Sequence, residues 1–233
     1  MINWPNTPDK ILIYPEIPKT NGTAIKNTLY NIMKDLSLSA DYLTMNDYLF
    51  SSMGDPRVIH TTLREYYDKW FFHIPEKWSN NTFKFTFVRN PWDRILSWYF
   101  WCVFQTQEGN WITVNRMYPQ KKLEPNKENF GEWLCWLNSF PSNNIWQKGW
   151  MTNLHWIKNS DDEIDMDFIG KLENFEQDWE LLCQMLKIDE PMPSGNINPI
   201  KKIKSYHEFY SQKSVDIVAS VCKEEIEFFG YEF

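Results

Sequence analysis

Two short stretches of this 233-residue chain carry residue types suited to holding anions. The first is Lys19-Thr20-Asn21-Gly22-Thr23. It lies between the apolar run Ile11–Ile13 and a helical pattern at Ile25, Leu29, Ile32, Met33 and Leu36. A helix N-terminus offers backbone N–H groups and the positive end of a dipole. Gly22 lets a backbone approach a ligand closely, Lys19 adds a point charge, and Thr20 and Thr23 add hydroxyl donors. That is phosphate-binding chemistry. The same five residues also suit a loop whose threonine merely caps a helix. The Walker spacing GxxxxGK[ST] is missing, and no acidic partner for Mg²⁺ stands out.

The second stretch is "FVRNPWDRILSWYFW", Phe87 to Trp101. At about 100° per residue, Asn90, Arg94 and Trp101 fall within about 60° of Ser97 on a helix. Trp92, Ile95, Leu96, Tyr99, Cys102 and Val103 fall on the other side and read as a core face. Arg89 stands just ahead of the helix, at the end of a strand pattern. Arg89 and Ser97 can therefore converge on an anionic group, and a guanidinium suits phosphate because its fork donates two bonds at once. The alternative is a solvated polar face in which Arg94 pairs with Asp93 or a neighbour.

The elements that must position these residues alternate. "KILIY", "PRVIHTTL", "TFKFTFVRNP" and "DFIGKLE" read as strands. Asn90-Pro91 opens a helix, with Asn as cap and Pro at the first helical position. Asn174 with Gln177 resembles a capping box. Phe175, Trp179, Leu182 and Leu186 then form one helical face, and Val215, Val218, Cys222 and Ile226 that of a last helix. Residues 106–130 and 189–205 read as loops, and 130–157 as partly helical. Alternating strands and helices predict an α/β layer fold with a mostly parallel sheet. Ligands in such sheets bind at the carboxyl ends of strands, where both stretches lie.

Composition sets limits. Apolar residues make up 42% and charged residues 24%, which is ordinary for one globular domain. The net charge of −7 argues against nucleic acid or an anionic membrane as partners. "MINWPNTPDKILIY" has neither basic flank nor long apolar run, so no signal peptide or membrane span is expected. Cys102, Cys135, Cys183 and Cys222 lack metal or redox spacing and read as free thiols in a reducing, cytoplasmic setting. Nine of the 13 tryptophans lie between Trp92 and Trp156, which marks that region as unusual.

Together the stretches resemble the membrane-type carbohydrate sulfotransferases. "IPKTNGT" resembles their 5′-phosphosulfate loop, usually IPKTGGT. "FTFVRNPWDRILSWY" resembles their 3′-phosphate motif, in which an Arg and a Ser eight residues later hold the phosphate. "DFIGKLENFEQDWELLCQML" and "YHEFYSQKSVDIVASVCKEEIEFFGYEF" resemble later family segments. The resemblance implies a P-loop NTPase-like three-layer fold, with a central, mostly parallel sheet flanked by helices. It implies a single domain over 1–233, with a Trp-rich insertion at about 105–160 on the acceptor side. It implies 3′-phosphoadenosine 5′-phosphosulfate (PAPS) as sulfuryl donor, PAP as product, and no metal. On that footing Lys19, Thr20, Asn21, Gly22, Thr23 and Ala24 wrap the 5′ end, and Arg89 and Ser97 hold the 3′-phosphate. Lys201, Lys202 or Lys204 closes over the nucleotide, with Lys202 the choice.

Two departures stand out. Asn21 replaces the usual first glycine, and Asn is the best non-glycine residue where φ must be positive. Glu16 precedes the loop where a His or an apolar residue is commoner.

Sulfuryl transfer is an in-line displacement that relies on positioning and charge stabilisation. Lys19 suits the leaving oxygen. An acceptor hydroxyl is helped by a base. His60, at the end of a strand pattern, matches a family His that precedes a helix, and Glu16 is the second candidate. A His60 that only caps or hydrogen-bonds is the alternative. Trp101, Trp111 and Trp150 suit stacking on a sugar ring, or simple packing. Arg116, Lys121, Lys122 and Lys127 suit an acidic acceptor, or a solvated loop. The first reading is a soluble sulfotransferase acting on a hydroxyl, expected to be a carbohydrate's. A P-loop kinase and a non-catalytic nucleotide-binding protein are the competing ones.

Overall fold

The computed structural model describes residues 3–4, 7–35, 62–65, 82–109, 123–140, 151–194 and 205–233. Of the sequence expectations, residues 56–61 of the "PRVIHTTL" strand and the lysines at 201–204 lie outside them, and the end of that strand is corrected: Leu63 is already helical. These residues fall into two compact units, Met1–Val88 with Leu154–Asn196, and Arg89–Asn153 with Ile197–Phe233.

The first unit is built on a four-stranded sheet in the order β1-β2-β3-β4. Its strands are β1 (Asn3–Trp4), β2 (Thr7–Ile13), β3 (Thr82–Val88) and β4 (Phe168–Lys171). β1 is antiparallel to β2, while β2, β3 and β4 run parallel. The mixed helix and strand composition with a small parallel sheet makes this an α/β fold. Helix α1 (Gly22–Asp35) follows β2.

Alternation in β3 sends Phe83, Phe85 and Phe87 to one side, and all three are buried. Tyr14 stacks on Phe85 at 5.0 Å between centroids. Phe87 meets Phe168 and Phe175 edge-on. Gly170 of β4 makes room for Phe87, since a Cβ there would lie 2.6 Å from its Cδ1. The helix after β4, Phe175–Leu186, completes this core with Trp179, Leu182, Cys183 and Leu186. Its expected capping box does not form. Asn174 makes no side-chain cap bond, because a 3₁₀ turn, Leu172–Asn174, feeds straight into the helix. The Asp178 carboxylate in the first turn instead accepts from the Lys171 N–H, at 2.6 Å.

The second unit is helical. Helix α2 (Pro91–Gln107) opens as its sequence demands: Asn90 Oδ1 accepts from the N–H groups of Trp92 and Asp93, and Pro91 stands at N1. Helix α3 (Lys127–Asn138) is capped by Asn126 and buries Phe130, Trp133, Leu134 and Leu137. Trp98 and Trp133 meet edge to face at 5.3 Å. The buried tryptophans of this unit, Trp92, Trp98 and Trp133, are therefore packing residues, as is Trp156 within the first unit. Trp111 and Trp150 lie outside the described residues.

The last predicted helix is two: Gln212–Val221 and Lys223–Phe229. Cys222, at φ −99° and ψ 18°, leaves the helical region and serves as C-cap of one and N-cap of the next. Its thiol donates to the Met151 carbonyl, a long-range contact that periodicity does not reveal. Among the described residues, no helix is long and apolar enough to cross a membrane.

Candidate functional site

The first loop leaves the carboxyl end of β2 and enters α1. Its start is tied to the sheet by the buried Thr86 hydroxyl of β3, which donates to the Pro15 carbonyl at 2.8 Å. Thr20 is completely buried and donates to the Ile17 carbonyl at 2.8 Å, drawing the loop into a tight turn. On either side of it the backbone turns left-handed: Lys19 has φ 72° and Asn21 φ 67°. Neither is glycine, so both hold conformations that L-residues adopt at a cost. Asn21 meets the expectation that its position requires positive φ. Its carbonyl accepts from Ala24 and Ile25, at 3.0 and 3.2 Å, which makes it the residue that starts α1. Gly22 and Thr23 then occupy the first turn, where backbone N–H groups have no intrahelical partner. A left-handed residue before a helix N-terminus gathers such groups into an anion-binding concavity.

Gly22 is not among the residues with positive φ. Space explains it instead: a Cβ there would overlap the Glu16 carboxyl group, 2.6 Å from its Cδ. Glu16 is buried, and its carboxylate pairs with Lys26 Nζ of α1 at 2.5 Å. The structure thus brings Glu16, Gly22 and Lys26 together behind the loop.

In the second unit, Arg89 opens the motif. Its Nε and one terminal nitrogen both donate to Asp93 Oδ2, at 2.8 and 2.6 Å. Asp93, Ser97 and Trp101, at successive steps of four along α2, are partly exposed, while most of that helix is buried. Arg89 and Ser97 thus belong to one four-residue series, with the Asp93 carboxylate between them.

The expectation of a wholly polar, solvated face fails at Arg94. Its side chain is 1% exposed, and the buried Glu225 carboxylate is the chief charge acting on it. Burial pushes its pKa below the usual guanidinium value, and Glu225 pulls it back up. Asp93 pairs with Arg89, at 2.6 Å.

Two residues of this unit carried no sequence signal. Asn153 and Glu225 are buried. The Asn153 N–H donates to Glu225 Oε2 in a short bond, and its Nδ2 donates to Glu225 Oε1 at 3.3 Å and to the Arg89 carbonyl at 3.0 Å. Nothing local marks Glu225 within "KEEIEFF" as an inward carboxylate.

His60, proposed as base, and Lys202 lie outside the described residues, as does His73. His207 is exposed, with Nδ1 2.5 Å from the Ser205 hydroxyl. Among the described residues no group of His, Cys, Asp and Glu is placed to hold a metal ion.

A family model described as "Sulfotransferase family" covers residues 6–232, nearly the whole chain, and the chain belongs to that family. Comparisons with curated proteins and with solved structures found no match.

Proposed function

We propose that this member of the sulfotransferase family moves a sulfuryl group from PAPS to a hydroxyl, in the first instance that of a carbohydrate. The observation that carries the donor assignment is the loop ahead of α1, with left-handed Lys19 and Asn21 on either side of a buried Thr20. A chain holds two non-glycine residues there only when the surroundings enforce it, and such strain gathers at ligand clamps.

PAPS supplies an activated sulfuryl group on its 5′-phosphate and a second anion on its 3′ carbon. The N–H groups of Gly22 and Thr23 receive the 5′ end, with Lys19 as the nearby cation and Ala24 closing the turn through its bond to the Asn21 carbonyl. Lys19 donates to the bridging oxygen as negative charge grows on it, which lowers the barrier more than it strengthens ground-state binding. Arg89 and Ser97 take the 3′-phosphate. Arg89 is held in advance by Asp93, so little rotamer freedom is lost on binding. His60 takes the proton of the acceptor hydroxyl. Lys202 closes over the nucleotide, and the partly exposed Trp101 offers a ring for stacking on the acceptor.

Calorimetry tests the donor directly. Adenosine 3′,5′-bisphosphate should bind much more tightly than AMP or ATP without added metal, and Arg89→Ala should erase that preference. Equal affinity for the three nucleotides in the native protein would sink the reading. Release of the bisphosphate from PAPS in the presence of sugar acceptors then tests transfer.

A further inference from the structure

We propose that Asn153 and Glu225 are positioning residues that aim Arg89 at the donor's 3′-phosphate; the inference rests on the donor assignment above. The 89–90 backbone is held from several directions at once. The Arg89 carbonyl accepts from Asn153 Nδ2 at 3.0 Å, and the Asn90 carbonyl accepts from the Arg94 N–H at 2.9 Å. The Asn90 side chain accepts from Trp92 and Asp93 and donates to the Glu232 carbonyl at 2.9 Å. What fixes the Asn153 amide in turn is Glu225, which receives both its Nδ2 and its backbone N–H.

The Glu225 carboxylate is only 1% exposed and is also the chief charge acting on the buried Arg94, so one group serves both the guanidinium and the Asn153 amide. Asn153 Oδ1 is also buried without a hydrogen-bond partner in the described structure. The residue is held by its donors, and one of those donors ends on Arg89. Leaving a buried amide acceptor unpaired costs stability, which suits a side chain selected for direction rather than for strength. The chain places the three residues far apart in sequence, so the link exists only in the fold.

The test uses the full chain and two ligands, adenosine 3′,5′-bisphosphate and AMP, which differ by the 3′-phosphate alone. Asn153→Ala removes the bond to the Arg89 carbonyl but keeps the backbone bond to Glu225. It should weaken bisphosphate binding by about tenfold, the effect of one displaced charged hydrogen bond, and leave AMP binding unchanged. Glu225→Gln, which weakens the hold on the amide and also removes the charge facing Arg94, should shift the same ratio in the same direction, with Asn153→Ala as the variant that isolates the amide. Thermal unfolding checks that each variant is folded. If Asn153→Ala is not, Asn153→Ser takes its place, because it keeps one short donor that cannot serve both acceptors. A bisphosphate preference kept intact in the folded variants overturns the inference while the donor assignment stands. A parallel loss for both ligands also overturns it, since that marks a purely structural role. No preference in the native protein removes the donor assignment and the inference together.

Discussion

Glu16 fills the space in which a side chain at Gly22 would stand. The glycine of the first loop is thus explained by a neighbour and not by its own dihedral angles, which lie outside the left-handed region. Gly22→Ala would ordinarily help the first turn of a helix by up to about 1 kcal/mol. Here overpacking should win and cost about 1–3 kcal/mol, because Glu16 is buried and tied to Lys26 and cannot swing aside freely. In a Glu16→Ala background the same change should become neutral or stabilising. Urea unfolding of the four proteins of this cycle measures the coupling. Additive effects would show that the two residues do not share that space.

Lys26 covers the Glu16 carboxylate at 2.5 Å, with 31% of the lysine side chain and 6% of the glutamate side chain exposed. Lys26→Met should destabilise by about 1–3 kcal/mol, less than for a fully buried pair because water still reaches the lysine. Glu16→Gln should cost less than that, and the double substitution less than the sum of the two. Thermal melts at one pH and salt concentration decide it. A Lys26→Met protein as stable as the native one would mean the carboxylate is satisfied without the lysine.

Burial pushes the Cys183 thiol up to about 11 from an ordinary 9, against a small opposing pull from the Glu190 carbonyl. Cys222 and Tyr210 are raised as well, again chiefly by burial. A raised pKa means the folded state keeps a proton that the unfolded state gives up. For Cys183 the contribution should therefore be complete below pH 9 and fall between about pH 9 and 11, by about 1.4 kcal/mol per pH unit, and Cys222 and Tyr210 act in the same direction above their ordinary values. Cys183→Ala lowers stability overall, yet should flatten this slope by about one proton. Urea midpoints from pH 8 to 11 give the slope, and an unchanged slope would show that Cys183 does not carry its share.

Much of this architecture is legible in the sequence where the signal is local. Asn90-Pro91 announces a cap and a first turn, and the backbone obeys. Asn21 in place of glycine announces positive φ, and the angle is 67°. Alternation in "TFKFTF" predicts which aromatics turn inward, and they are buried. What the sequence hides is which distant partner covers a face. Helical periodicity places Arg94 beside Ser97 but cannot say that the Glu225 carboxylate is the chief charge acting on it, since the two lie far apart in the chain. The same limit hides Asn153, a lone amide before a short helix. Asn174 misleads for the opposite reason: a valid capping pattern is overridden by a 3₁₀ turn that enters the helix directly.

Lys19 gives the sharpest separation of stability from function. At φ 72° its backbone costs about 1–2 kcal/mol relative to glycine, and glycine's greater freedom in the unfolded chain takes back about 0.4–1 kcal/mol. Lys19→Gly should therefore be at least as stable as the native protein, by up to about 1.6 kcal/mol. Lys19→Ala keeps the backbone strain and should show no such gain. On the donor assignment both variants lose the cation beside the 5′ end, so sulfuryl transfer should fall by about 10²-fold or more in each. A stable Lys19→Gly protein without transfer activity would mean that the strained backbone serves the ligand. A Lys19→Gly protein that is both less stable and equally active would mean the reverse, that the lysine holds the loop and plays no part in the chemistry.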